Sequence, residues 1–176
     1  IIQEVEGTEW LAPVVAARKP NGTLRLCIDL RKLNRNIVID KYPLPNITDM
    51  LTLLNGAKVF SNIDLASAYH QIVLSDDSKD YTAFITPFGT YKFNRLPFGL
   101  ISAASVFQRA LEKVLKGLEG VKIYQDDILV YGCTIEEHDL RLRQVFDRLK
   151  GYNLTVKLDK CKFRQEKIIY LGHTIT

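Results

Sequence analysis

Val121-Lys122-Ile123-Tyr124-Gln125-Asp126-Asp127-Ile128-Leu129-Val130-Tyr131 is the stretch from which the fold is read. Two β-rich apolar runs, Val121 to Tyr124 and Ile128 to Tyr131, flank Gln-Asp-Asp, so a strand pair turns at two adjacent acids. Neighbouring carboxylates repel unless they are exposed or hold a cation. A third acid, Asp64, ends another apolar run, Val59-Phe60-Ser61-Asn62-Ile63. If the two regions are neighbours in one sheet, three carboxylates converge at its edge. Such hard oxygen donors suit Mg²⁺. Two such ions clamp the attacking and leaving oxygens of a phosphoryl displacement. Asp-Asp is also ordinary turn chemistry, and spacing alone leaves both readings open.

Outward from this stretch the elements read as mixed α and β. Leu11 to Val15 and Leu24 to Leu30 flank Lys19-Pro20-Asn21-Gly22, and Asn-Gly between apolar runs marks a hairpin. Ile47, Met50, Leu51 and Leu54 follow helical spacing after Pro43 and Pro45. Val59 to Leu65 and Gln71 to Leu74 read as strands. Tyr81 to Thr86 and Thr90 to Phe93 read as a hairpin around Pro87-Phe88-Gly89. Ala103, Val106, Phe107, Ala110, Leu111, Val114, Leu115 and Leu118 form one helical stripe, with Gly117 and Gly120 near its end. Thr134 and Glu137 form a capping-box pattern opening a helix with Leu142, Val145, Phe146 and Leu149 inward. Lys157 to Phe163 and Ile168 to Ile175 read as a final hairpin. Strands not simply alternating with helices favour an α+β fold.

The 176 residues suffice for one domain or two merged subdomains, at 47% hydrophobic and 25% charged composition. No apolar run is long enough for a transmembrane helix, and the first residues do not read as a secretory signal. The absence of a starting Met suggests an excised fragment. Three scattered Cys argue against a disulfide scaffold and for a reducing compartment. Net charge is +4, yet residues 18–41 alone carry seven basic residues against two acids. That stripe suits a polyanion, or is the solvated face of a surface hairpin.

With these features in place, Tyr124-Gln125-Asp126-Asp127 resembles the Tyr-x-Asp-Asp box of reverse transcriptases. Other stretches agree in family order. Trp10 to Val15 with Lys19 to Arg25 is similar to the fingers hairpin, and Asp29-Leu30-Arg31-Lys32-Leu33-Asn34 to the motif after it. Phe60 to Gln71 resembles the first catalytic motif. Asn94-Arg95-Leu96-Pro97-Phe98-Gly99-Leu100, with the helix through Phe107-Gln108, resembles the template-gripping motif. Tyr170-Leu171-Gly172-His173 resembles the primer-grip hairpin. The match runs from about Thr8 to Thr176. Phe98-Gly99-Leu100 and the Tyr-Leu-Gly-His ending lean towards the Ty3/gypsy class of LTR retrotransposons.

The resemblance implies a right-hand polymerase, with an antiparallel palm sheet packed on helices. Residues 1–64 would be mainly fingers (hairpin 11–30, helix about 46–55) running into the first palm strand. Residues 65–176 would be palm with a fingers insertion at about 75–95, and thumb, connection and RNase H would be absent. The implied activity is RNA-directed DNA polymerisation, adding dNTPs to a primer 3′-OH on an RNA or DNA template with two Mg²⁺ ions, Mn²⁺ being a possible substitute. Asp64 and Asp126 would be the main metal ligands, Asp127 supporting, with the Leu65 carbonyl a further ligand. Arg25, with Arg18 or Lys19, would hold the triphosphate. Backbone amides near Ser67 and Ala68 would cradle phosphates, and Tyr69 would reject a ribose 2′-OH by clash. Phe98 and Gly99 would line the nucleotide pocket. Gln125, Tyr124, Arg95, Tyr170, Leu171 and Gly172 would face primer or template. The parent would be a polyprotein with RNase H, integrase and protease, working inside the cell in a cytoplasmic retroelement particle, off the membrane.

Gln125 departs from the family pattern, which more often has an apolar residue there. A contrasting expectation is a co-opted or truncated retroelement fragment binding nucleic acid or protein without catalysis. It has no chemical need for three clustered acids. An RNA-dependent RNA polymerase shares the palm logic but conflicts with Tyr69. Asp29 and Arg31 read as a structural ion pair on one strand face, and Cys27 as a small core residue. His70, His138 and His173 have no zinc spacing with one another or with Cys133 and Cys161.

Overall fold

The computed structural model describes residues 1–18, 22, 24–39, 41–43 and 45–176, excluding the side chains of Ala17, Leu24, Arg25 and Leu26. The strands are β1 (Ile2–Glu4), β2 (Ala12–Arg18), β3 (Leu24–Ile28), β4 (Val59–Asp64), β5 (Phe84–Thr86), β6 (Gly89–Phe93), β7 (Val121–Tyr124), β8 (Asp127–Gly132), β9 (Lys162–Gln165), β10 (Ile168–Tyr170) and β11 (His173–Ile175). The helices are α1 (Arg31–Asn34), α2 (Ile47–Thr52), α3 (Asp76–Lys79), α4 (Ala103–Val114) and α5 (Ile135–Gly151). Helices and largely antiparallel sheets make the fold α+β. The chain divides into two compact units, Ile1–Lys41 with Tyr69–Ala104, and Tyr42–Ala68 with Ser105–Thr176.

The first unit is built on a five-stranded sheet of order β1-β6-β5-β2-β3. Its pairs are antiparallel except β2 with β5, where Ala12 stands opposite Phe84 and Pro13 opposite Ile85. β2 and β3 pair as the Asn-Gly signal predicts, Val14 opposite Ile28 through Arg18 opposite Leu24. The Lys19-Pro20-Asn21 part of their turn lies outside the described residues. The expected hairpin of residues 81–93 is β5–β6, with Asp80–Thr82 a 3₁₀ turn ahead of it. The segment expected as a strand at Gln71 to Leu74 instead begins in a 3₁₀ turn, Ala68–Gln71. It keeps only short pairing, with Leu96 N–H donating to Ile72 O (2.9 Å) and Leu74 N–H to Asn94 O (3.1 Å). Cys27 is exposed rather than a core residue. Asp29 and Arg31 do pair, Nη2 to Oδ2 at 2.6 Å. The pair brackets the start of α1 instead of sharing a strand face.

The second unit holds an antiparallel sheet of order β7-β8-β4-β9. Val59, Phe60, Ser61 and Ile63 of β4 and Ile128, Leu129 and Val130 of β8 are all buried, as in strands covered on both faces. Met50 and Leu54 of α2 pack with Phe60, Leu129, Ile168 and Tyr170, so α2 belongs to this core. Phe60 and Leu129 are fully buried, each contributing about 1.5–3 kcal/mol by area removed from water. α5 starts as its capping pattern predicts, the Thr134 side chain accepting from Glu137 N–H. Val145 and Leu149 are buried, Leu142 and Phe146 partly so. The expected final hairpin is differently made. β9 takes the free edge of β4, satisfying backbone groups that an open edge would expose. β10 and β11 form their own hairpin around Leu171 (φ +51°) and Gly172 (φ +80°), the paired left-handed residues of a tight two-residue turn.

Candidate active site

The β4–β8 register places Asp64, the last residue of β4, directly opposite Asp127, the first of β8. Tyr124 pairs with Asp127 across the β7–β8 turn, leaving Gln125 and Asp126 at its tip. Three carboxylates thus share one edge of one sheet, because the strand pair turns where the apolar runs stop. Gln125 adopts φ +54°, uncommon for a residue with a side chain. One buried amide holds it there. Gln108 of α4, fully buried, accepts from Gln125 N–H (2.6 Å) and donates to Ile123 O (3.1 Å) and to Glu112 Oε1 (2.7 Å). Glu112 in turn accepts from the Tyr42 hydroxyl, and the Arg109 guanidinium lies 5.0 Å above the Tyr42 ring.

Burial pushes the Asp127 carboxyl above its ordinary value, the charges of Asp126 and Asp64 add to the rise, and a hydrogen bond from Asn62 opposes it. Asn62 Nδ2 donates to Asp127 Oδ1 at 3.3 Å, and the Asn62 Oδ1 is buried with no partner among the described residues. Asp64 is held from the segment after α5. Lys157 N–H donates to its carbonyl (2.8 Å), the Cys161 sulfur accepts from its N–H (3.4 Å), and Lys160 Nζ lies 3.6 Å from Oδ2. Among the described residues no three His, Cys, Asp or Glu side chains are gathered as a metal-binding group. The donor set nonetheless fits a hard cation: mutually repelling carboxylates, one with a raised affinity for its proton, beside an unsatisfied amide oxygen.

The other expected residues are distributed as follows. Leu65 is buried and bridged to Val156. Ser67 has φ +49° and buried Ala68 opens the 3₁₀ turn. Tyr170 is buried in the second unit's core with Tyr124 packed against it. Its hydroxyl is buried without a partner among the described residues, and burial, with Asp127's charge adding, raises its pKa. Leu171 and Gly172 form the β10–β11 turn. In the first unit the Tyr69 ring lies 5.0 Å from the Phe98 ring at 44°. Gly99 follows with φ +95°. Arg95 Nη1 donates to Gln71 O at 3.2 Å. Arg18 ends β2 and is exposed. Lys19 and the Arg25 side chain lie outside the described residues. Sequence reasoning placed Gln108 in the template-gripping motif and Asn62 in the first catalytic motif without a role of their own, and assigned none to Lys160 or Cys161. For Gln108 a signal existed, a polar residue inside an apolar helical stripe; for the others there was none.

The family described as reverse transcriptase (RNA-dependent DNA polymerase) matches residues 17–175. The retrovirus-related Pol polyprotein from transposon 412 of Drosophila melanogaster is 44% identical over 155 residues, covering 86% of this chain and 12% of the polyprotein. That of transposon gypsy, from the same organism, is 39% identical over 158 residues, covering 89% and 15%. The structure of the foamy viral protease-reverse transcriptase in complex with RNA/DNA hybrid superposes with a TM-score of 0.92 at 26% identity, covering all of this chain and 24% of that one. The chain belongs to the reverse transcriptase family. It spans less than a fifth of the length of these curated relatives.

Proposed function

We propose that the chain is the polymerase core of a retroelement reverse transcriptase, adding dNTPs to a primer 3′-OH on an RNA or DNA template. The observation that carries this reading is the pairing of Asp64 with Asp127 across β4 and β8, with Asp126 in the adjoining turn. In this reading the second unit is palm and the first is fingers. Asp64, Asp126 and the Leu65 carbonyl would hold two Mg²⁺ ions, with Asp127 supporting. When bound, such ions activate the attacking hydroxyl and neutralise charge on the leaving pyrophosphate. Arg25 with Arg18 or Lys19 binds the triphosphate, as do the amides of Ser67 and Ala68. Tyr69 excludes the ribose 2′-OH, and Phe98 and Gly99 line the pocket. Tyr124, Gln125, Arg95 and the Tyr170–Gly172 hairpin face primer or template. The soft-ligand alternatives are disfavoured because the donors are carboxylate and amide oxygens.

The direct test of the carrying observation is paramagnetic broadening by Mn²⁺ in the nuclear magnetic resonance spectrum of the chain. Selective loss of signal from Asp64, Asp126 and Asp127, abolished in Asp64→Asn, is the expected result. Broadening centred elsewhere would contradict the assignment.

A further inference from the structure

The segment Phe98-Gly99-Leu100-Ile101 has no regular secondary structure, yet one side chain binds it at two points. Asn34, the last residue of α1, donates from Nδ2 to Gly99 O at 2.8 Å and accepts at Oδ1 from Ile101 N–H at 2.9 Å. Asn34 is itself fixed, its N–H donating to Leu30 O at 2.8 Å, with Leu30 and Leu33 buried beneath α1. Gly99 itself holds φ +95°, a region that favours glycine, and a Cβ there would lie 3.8 Å from Ile28 O.

The loop presents Phe98, which is 46% exposed and yet ordered by rings on one side. Its ring centre lies 5.0 Å from Tyr69 and 5.0 Å from His70. His70 stacks 6.1 Å from Phe93, and Phe93 lies 5.2 Å from Phe84. The row of rings is therefore rooted in β5 and β6. Phe98 is set from two directions: by the Tyr69 and His70 rings, inclined at 44° and 72° to its own, and by an amide that fixes the backbone beside it. Only an amide side chain of this length does both jobs at Asn34. An aspartate keeps the acceptor but faces Gly99 O with a negative oxygen, and an alanine reaches neither group.

We propose that Asn34 is a positioning residue for sugar selection: it holds the Phe98–Ile101 loop so that Phe98 supports Tyr69 in the orientation that excludes a 2′-hydroxyl. The inference rests on the reading of Tyr69 as the gate. Asn34 does not touch the nucleotide in this account; it acts through Phe98.

The test compares wild type, Asn34→Asp, Asn34→Ala, Tyr69→Ala and Arg31→Ala. Arg31→Ala removes the ion pair at the start of the same helix and leaves the loop contacts intact. The readout is the ratio of kcat/KM for a dNTP to that for the matching rNTP, in single-nucleotide extension. Both Asn34 variants should lower the ratio about tenfold, the scale of one lost hydrogen bond, through a raised dNTP KM and a relaxed rNTP reaction. Arg31→Ala should leave it unchanged. Ring resonances of Phe98 and Tyr69, read in the folded chain without turnover, should shift in Asn34→Asp and not in Arg31→Ala. A wild-type ratio or unmoved rings in the Asn34 variants, with a collapsed ratio in Tyr69→Ala, would overturn the role of Asn34 and leave the gate standing. An unchanged ratio in Tyr69→Ala would overturn the gate and the inference together. Melting curves separate misfolded variants, and an Asn34→Asp chain that melts as wild type but behaves as above supports the proposal.

Discussion

A buried amide and a strained residue explain the shape of the Tyr-Gln-Asp-Asp turn. Gln108 pins both Ile123 O and Gln125 N–H, so left-handed Gln125 is held by a side chain and not by its own preference. Burial of the Asp127 carboxylate beyond it lowers stability while that group is charged. Asp127 has a raised pKa, so the folded state holds its proton more tightly than the unfolded chain does. The sign follows: the destabilisation is absent below the ordinary aspartate value of 3.8 and grows as pH rises through the folded pKa. Asp127→Asn should therefore raise Tm at pH 7 and change it little near pH 3. A lower Tm at pH 7 would remove repulsion and burial as the governing terms. If Arg25 holds the triphosphate as proposed, neutralising it should raise the dNTP KM several-fold by removing a charge-assisted phosphate contact. An effect confined to template affinity would place Arg25 elsewhere. Asp64, Asp126 and Asp127 were legible because acids at strand ends stand out against apolar runs. Lys160 and Cys161 were not legible, because their contact with Asp64 depends on where the chain returns after α5.

Elements in the second unit are tied by a polar network that sequence periodicity could not show. His138 is fully buried on α5, with Nε2 2.8 Å from Ser61 Oγ and Nδ1 3.0 Å from Asp139 Oδ1. A carboxylate only accepts, so Nδ1 carries a hydrogen, while Nε2 and the Ser61 hydroxyl share the second bond. Ser61 also accepts from Arg164 N–H at 3.1 Å, and Arg164 closes the network on Asp139 through two donors. Helix α5 and strands β4 and β9 are thereby joined. Burial of Ser61 keeps this Ser-His-Asp arrangement from acting on a substrate. His138→Ala should cost about 2 kcal/mol by emptying a buried site and stranding the buried Ser61 hydroxyl, read as a Tm lower by about 4–8 °C. Gly132 has a separate reason to be glycine. A Cβ there would sit 2.7 Å from His138 N and 2.9 Å from His138 Cα, both backbone atoms. Gly132→Ala should lower stability by about 1–3 kcal/mol, and a Tm equal to wild type would show that α5 shifts without cost. The helices were legible from 3.6-residue stripes and from Thr134. The pairing of β9 with β4 was not, because a four-residue strand does not name its partner.

At the scale of the molecule, sequence order is a poor guide to which parts pack together. Tyr42–Ala68 joins Ser105–Thr176, while Tyr69–Ala104 joins the first 41 residues. Met50 and Leu54 explain the first of these groupings, since their partners Phe60, Leu129 and Tyr170 lie in the second unit's core. The family was legible in the order of six motifs, and matches to relatives over most of the chain bear it out. The central claim is that these carboxylates catalyse template-directed dNTP addition. Single-turnover extension of a primed RNA template by one complementary dNTP with Mg²⁺ tests it most directly. The chain is assayed as it stands and joined to the remaining length of the transposon 412 polyprotein, each beside Asp126→Asn. Extension by the wild type is expected in the joined form at least, with a loss of several orders of magnitude in Asp126→Asn. Extension that survives Asp126→Asn, or none from the wild-type chain even when joined, would contradict it.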